Sequence, residues 1–316
     1  MITFSIIIPT YNRARYLEDA IKSILEQDRE NLPHYEIIIV DNASFDNTKE
    51  VFYKFKDKCK ILYKFEKKIG LDIARNAGIS LASGEFIVFI DDDVIVSKNW
   101  LKGYLNTFNT YKAMCVGGRT LLQWEGKRPE WLPKEKEGYY SKIDYGDRDF
   151  IMEKIHYIVG ANFAVRKIIF KEVGLFHEGI GRIGKKFISG EEIEFMERIR
   201  EKNYRICYSA SALVYHRVHS ERFSLKFYLK RNCWAGITSI VVDYKIKKIR
   251  AICAKDMLYY FKIFFINIIL SIKEFLNLKI VNAFNYIGEA SKYFGKGFYL
   301  FALYIKLICK KYKKLF

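Results

Sequence analysis

Three consecutive carboxylates, Asp91, Asp92 and Asp93, close the apolar run Phe86–Ile90. Like charges this close repel one another, and a bound cation would relieve them. A second strand-like run, Glu36–Val40, apolar from Ile37, also leads into an acid, Asp41. Two more acids, Glu191 and Glu192, open a helical pattern behind a glycine-rich stretch. A neighbouring charge or partial burial would bring such a carboxyl toward the range of a general base. His216 follows the strand-like Ala212–Tyr215. Each feature also has a purely structural reading. The triple aspartate closes a turn, Asp41 caps one, the glutamates suit a helix dipole, and a histidine after a strand is usually core or surface.

These groups need elements to position them. Strands are predicted over 4–8, 36–40, 61–65 and 86–90, with helices to about Gln27, through about Lys56, and over 72–82. Strand and helix alternate with short connections, which predicts a parallel, doubly wound α/β sheet. In such sheets ligands bind at the carboxyl ends of the strands, where Asp41 and Asp91 both fall. A nucleotide could bridge them, with Asp41 meeting base or ribose and the triple aspartate meeting phosphates through a metal. Further on, the pattern gives a helix over 98–111, a strand over 113–117 and an aromatic-rich loop over 119–155. That loop, with Trp124 and Trp131, either lines a sugar-binding surface or simply packs. Residues 156–165 read as one bent strand with Gly160 and Ala161 in its middle. A helix over 166–173 precedes Gly179–Gly184, which matches G-x-G-x-x-G. No strand enters that stretch and no helix starts at its last glycine, so it reads as a flexible loop. A helix from about Ser189 to Lys202 and two strands, 206–208 and 212–215, complete this part.

Composition narrows the class. The chain has 316 residues, half of them apolar, with 25 Phe and 23 Tyr but only four Pro. That supports a substantial core and excludes long disordered linkers. Six scattered cysteines without C-x-x-C spacing fit reduced thiols rather than a metal knuckle. The amino-terminal residues run straight into a strand without a signal-peptide pattern, so a cytoplasmic setting is expected.

The formal net charge is +18, and from residue 245 onward 15 Lys and Arg face three acids. This region is also greasy. From Lys255, a predicted helix places Leu258, Phe261, Phe264, Phe265, Ile268, Ile269, Ile272, Phe275 and Leu276 on one face. Its longest uncharged run, Ile263–Ile272, is too short to span a bilayer. An interfacial helix on an anionic membrane surface is therefore expected, followed by a second amphipathic stretch, 280–308, interrupted by Gly295 and Gly297, and a cationic end, Lys310–Phe316. Charge alone would also admit nucleic acid, but the apolar character favours the membrane, and no nucleic-acid partner is expected.

The ordered set of motifs resembles the family 2 glycosyltransferases, inverting enzymes of the GT-A fold. The matching segments are Ser5–Arg13, Ile39–Ser44, Gly70 with Ala74–Gly78, Ala82–Glu85, Phe89–Asp93, Gly160–Asn162, Gly190–Phe195 and Val214–His216. They cover residues 3–236. The resemblance implies a Rossmann-like, mostly parallel sheet flanked by helices over 1–236. Residues 1–118 would be its nucleotide-binding half and 119–236 its acceptor and catalytic half. Residues 237–316 would form a membrane-associating helical tail.

Carried over by position, the resemblance implies that Pro9, Thr10, Tyr11, Arg13, Asp41, Arg75, Asp91 and Asp92 hold the nucleotide. Asp91 and Asp93 would be the D-x-D aspartates that take Mg²⁺ or Mn²⁺, with His216 a further ligand. Gly160, Ala161 and Asn162 would face sugar or acceptor, joined by Trp131 if the aromatic-rich loop lines a sugar-binding surface. Glu192 would be the catalytic base, with Glu191 as the alternative, because this chain has Glu-Glu where the family usually has Glu-Asp. The implied reaction moves a sugar from a nucleotide-diphosphate donor, most simply a UDP-sugar, to a glycan or lipid-linked acceptor. It would take place at the cytoplasmic face of the cell membrane, peripherally bound, in polysaccharide or glycolipid synthesis. The rivals are a nucleotidyltransferase of similar fold and a non-catalytic glycan- or nucleotide-binding protein with a degenerate site.

Overall fold

The structure, a computed structural model, describes residues 2–184, 186–246 and 254–312. In chain order the strands are β1 (Phe4–Thr10), β2 (Tyr35–Asp41), β3 (Ile61–Phe65), β4 (Phe86–Ile90), β5 (Val94–Val96), β6 (Cys115–Trp124), β7 (Phe150–Ile151), β8 (Asn162–Arg166) and β9 (Ile206–Val218). The helices are α1 (Ala14–Leu25), α2 (Thr48–Phe55), α3 (Leu71–Leu81), α4 (Trp100–Tyr111), α5 (Ile169–Val173), α6 (Glu191–Glu201), α7 (Leu225–Ile246), α8 (Ala254–Leu276) and α9 (Ile280–Tyr312). The chain divides into two compact units.

The first unit comprises Met1–Gln123, Tyr140–Gly184 and Glu191–Val218. Its sheet runs β3-β2-β1-β4-β8-β6-β9-β5, with β7 paired to β9. β3, β2, β1 and β4 are mutually parallel, whereas β8 runs antiparallel to β4 and to β6. Every residue of β1 and of β4 is buried, as expected of strands covered on both faces. α1 turns Leu17, Ala20, Ile21 and Ile24 inward at helical spacing.

The sheet departs from the expected elements in three places. β8 starts only at Asn162, so Gly160 and Ala161 precede the strand instead of bending it. The two strands expected at 206–208 and 212–215 are one 13-residue strand, β9. The expected loop 119–155 contains the end of β6, a 3₁₀ turn (Lys134–Tyr140) and β7. β5 had no expectation at all: three residues directly after an acidic turn carry too little pattern to register.

The second unit comprises Trp124–Tyr139, Lys185–Gly190 and His219–Phe316. The boundary expected at 236/237 falls inside α7. α9 is continuous through Gly295 and Gly297, which corrects the expected interruption. Gly295 is there for close approach: a Cβ would lie 2.1 Å from the Cys233 carbonyl oxygen. Gly236 meets α9 in the same way, with a Cβ placed 1.9 Å from the Lys292 carbonyl oxygen.

The single apolar face expected of α8 is divided. Phe261 and Phe264 pack on Phe294 of α9, and Ser271 Oγ donates to the Ala283 carbonyl. Leu258, Phe265, Ile269, Ile272 and Leu276 are exposed, each by more than half of its surface. No helix among the described residues is long and apolar enough to cross a membrane. The expected cationic end lies outside the residues whose side chains are described.

Candidate active site

All the titratable groups of the site lie in the first unit. Thr10 and Asp41 are register partners at the carboxyl ends of β1 and β2. Asp41 accepts from the Ser44 amide at 2.8 Å and from the Tyr63 hydroxyl at 2.6 Å. Beside them Tyr11 and Phe45 stand edge to face, their ring centroids 6.4 Å apart, and both are exposed. Asn42 turns inward. Its amide donates to the Glu66 and Lys68 carbonyls and accepts from Gly70, which fixes the approach to α3.

β4 ends at Ile90, so Asp91–Asp93 sit at the ligand-binding edge of the sheet. The strand missed in the sequence explains how His216 reaches them. β5 pairs antiparallel with β9 and sets Val94 opposite His216. The Arg217 amide then donates to the Asp93 carbonyl at 2.9 Å. His216 Nε2 stands 3.3 Å from Asp93 Oδ1, with both side chains buried. One donor atom each from Asp91, Asp93 and His216 lie within 4.8 Å of one another. Two donors on one ion stand at most about 4.4 Å apart, so a small rotamer change closes the set. Two carboxylates and an imidazole suit a hard or borderline divalent cation. The residues present therefore fit a metal.

Asp92 plays a different part. It accepts from the Thr10 hydroxyl at 2.8 Å and from Arg13 Nη1 at 3.1 Å, and the same Arg13 nitrogen meets Asp93 Oδ2 at 2.7 Å. Burial pushes the Asp92 carboxyl up to about 6, against the pull of Arg13.

Arg75 is at the centre of the site and almost wholly buried. Nη1 donates to Glu191 Oε1 at 2.8 Å, Nη2 donates to the Gly160 carbonyl at 3.1 Å, and Nη2 lies 3.8 Å from Asp91 Oδ1. A Cβ at Gly160 would lie against Arg75 Nη2, so a side chain there would displace the guanidinium. The Gly160 amide donates to Glu192 Oε1 at 3.2 Å. Glu192 Oε2 is shielded from solvent and has no hydrogen-bond partner among the described residues. Burial, then the charge of Glu192, push Glu191 up to about 8, with Arg75 opposing.

The residues expected to face sugar or acceptor divide. Gly160 borders the site. Ala161 is buried in the hydrophobic core. Asn162 cannot face a ligand: it accepts from Trp100 Nε1 and the Tyr104 hydroxyl, and donates to the Arg119 and Ala212 carbonyls. Those four bonds satisfy an amide side chain completely. Trp131 belongs to the second unit, packed on Tyr228 and Phe284. Asp72 carried no expectation. It is buried and accepts from the Gly179 and Gly181 amides, which pins the glycine-rich loop to the start of α3. An acid in the first turn of a helix is too common for sequence to single it out.

A family model described as "Glycosyl transferase family 2" matches residues 5–174. Glucosyl-dolichyl phosphate glucuronosyltransferase of Haloferax volcanii is 27% identical over 76% of this chain and 77% of its own length. GalNAc(5)-diNAcBac-PP-undecaprenol beta-1,3-glucosyltransferase of Campylobacter jejuni is 33% identical over 64% of this chain and 61% of its own. Among solved structures, S. aureus TarS 1–349 in complex with UDP-GlcNAc superposes with TM-score 0.53 at 20% identity, covering 74% of this chain and 66% of that one. The mannosyltransferase PcManGT from Pyrobaculum calidifontis, in complex with GDP-Man and Mn²⁺, gives TM-score 0.54 at 18% identity over 75% and 64%. These likenesses show a GT-A fold.

Proposed function

The chain belongs to glycosyltransferase family 2, and on that premise we propose that it moves a sugar from a nucleotide-diphosphate donor to a lipid-linked or glycan acceptor, with inversion. The carrying observation is the clustering of Asp91, Asp93 and His216, with the buried Arg75 linking Asp91 to Gly160, whose amide holds Glu192. The exposed Tyr11 and Phe45 rings offer faces to the donor's base, and Asp41 offers an acceptor to its N–H or hydroxyl groups. Asp91, Asp93 and His216 would hold Mg²⁺ or Mn²⁺, and that ion, when bound, offsets the charge growing on the leaving diphosphate.

Glu192 is the base in this reading. Its Oε2 has no protein partner among the described residues, and the Gly160 amide fixes its other oxygen. Glu191 keeps its proton near neutrality and is held by Arg75, so it is the poorer acceptor. Glu192 takes the proton of the acceptor hydroxyl as that oxygen attacks the anomeric carbon. A single displacement inverts the configuration. Arg75 acts through Glu191 and Gly160, orienting the start of α6 against Asp91.

The second unit and the relatives support the acceptor side of this reading. The names of two relatives carry dolichyl phosphate and PP-undecaprenol. The exposed apolar stripe of α8 is flanked by the exposed Lys255, Lys262 and Lys273, a pattern suited to lying on an anionic membrane surface. Peripheral attachment at the cytoplasmic face would bring the enzyme to a lipid-linked acceptor.

The test supplies a panel of UDP- and GDP-sugars with polyprenyl-phosphate and saccharide acceptors and follows nucleoside diphosphate release and product configuration. Acceptor-dependent release with an inverted anomeric centre supports the reading. A retained configuration, or release indifferent to every acceptor, counts against it.

A further inference from the structure

We propose that Arg13 is a resident counter-cation of the aspartate cluster, competing with a divalent cation for Asp93 and yielding it when the metal loads. The inference rests on the metal-site reading of Asp91, Asp93 and His216 given above.

Asp92 and Asp93 are both nearly inaccessible, at 5% and 1% exposure. Adjacent buried carboxylates are costly unless a positive charge meets them. A single atom does so here: Arg13 Nη1 touches Asp92 Oδ1 and Asp93 Oδ2 together. Asp91, the most exposed of the three, is left to Arg75 at 3.8 Å.

The two arginines differ in their freedom to move. The Arg75 side chain is 1% exposed and tied to three groups, whereas that of Arg13 is 30% exposed and sits on the loop between β1 and α1. Asp92 is not among the three clustered donors. It is therefore the partner Arg13 keeps when Asp93 turns to a metal, and the Thr10 hydroxyl holds Asp92 in place for that. A guanidinium and a divalent cation on one carboxylate repel each other, so Arg13 weakens metal binding as long as it stays on Asp93. This assigns the middle residue of the Asp-Asp-Asp run a role of its own.

The test titrates the full chain with Mn²⁺ alone, without nucleotide, following the free ion by electron paramagnetic resonance. Arg13→Met should bind Mn²⁺ about tenfold more tightly than the natural protein, the order of one removed nearby charge. Arg13→Lys keeps the charge but lacks the reach of the guanidinium, so it should fall between, and it decides the matter alone if Arg13→Met does not fold. In thermal unfolding, Arg13→Met should lose stability without metal and recover it at saturating Mn²⁺. Unchanged or weaker Mn²⁺ binding, or a stability loss that Mn²⁺ does not narrow, overturns the proposal. Asp93→Asn separates the two readings. If it leaves Mn²⁺ binding intact, the metal site itself is misassigned. If it abolishes binding while the Arg13 variants show no tightening, only the role of Arg13 fails.

Discussion

Arg75 Nη1 donates to Glu191 Oε1 at 2.8 Å, in a contact of which neither side chain is more than 2% exposed. The pair joins α3, under the parallel half of the sheet, to the first residue of α6. Breaking it leaves a buried acid without its partner. Arg75→Met should cost about 1–3 kcal/mol, measured by urea unfolding. The double variant Arg75→Met/Glu191→Leu should recover part of that loss, because both buried polar groups go together. A single-variant loss below about 1 kcal/mol would mean the pair does not organise the site.

The two glutamates should separate kinetically. Glu192→Gln removes the proposed base and should lower kcat by about 10²–10⁴-fold with donor binding kept. Glu191→Gln replaces a group that already keeps its proton near neutrality, so its effect should be far smaller. Stopped-flow transfer assays on both variants decide, and the reverse ranking would assign the base to Glu191.

Metal binding should follow the cluster. Asp93→Asn and His216→Ala should each weaken Mn²⁺ affinity by an order of magnitude or more, read by isothermal titration calorimetry. His216→Ala affinity equal to that of the natural protein would remove the imidazole from the ligand set.

Glu36 gives a pH signature remote from the active site. Burial pushes its carboxyl up, but hydrogen bonds from Lys60, Ser5 and Ser83 prevail and hold it down at about 2. The native state thus binds this proton less readily than the unfolded chain, whose carboxyl titrates near 4.5. The stabilisation is present above pH 4.5 and is lost as pH falls toward 2, to an extent of order 3 kcal/mol. Glu36→Gln should flatten this part of the stability–pH curve in denaturant titrations. An unaltered slope would show that Glu36 contributes no linkage.

The outward stripe of α8 should govern membrane attachment. Phe265→Glu with Ile269→Glu places two acids among exposed apolar residues and should release the protein from phosphatidylglycerol vesicles in co-sedimentation. Binding that persists would place the contact on another surface.

Long, strongly patterned elements were legible in the sequence: the buried runs of β1, β2 and β4 and the helices between them follow from apolar periodicity alone. The acids at the carboxyl ends of β2 and β4 followed from the same reading. What stayed hidden depends on partners distant in sequence. β5 is too short to show a pattern, yet it sets His216 beside Asp93. Asn162 carries the family's motif, but only the fold reveals Trp100, Tyr104 and two carbonyls around it. α8 shows a single apolar face in its sequence. The packing of Phe261 and Phe264 on α9 divides that face into an inner and an outer part.

The most direct test of the account is the thermal stability of the full chain with UDP, GDP, CDP and ADP, each with and without Mn²⁺, repeated on Asp93→Asn. A ligand that binds only the folded state raises stability by RT ln(1 + [L]/Kd). The expected result is a shift selective for one base, dependent on Mn²⁺ and lost in Asp93→Asn. No shift with any nucleotide, or a shift indifferent to both metal and Asp93, would contradict it.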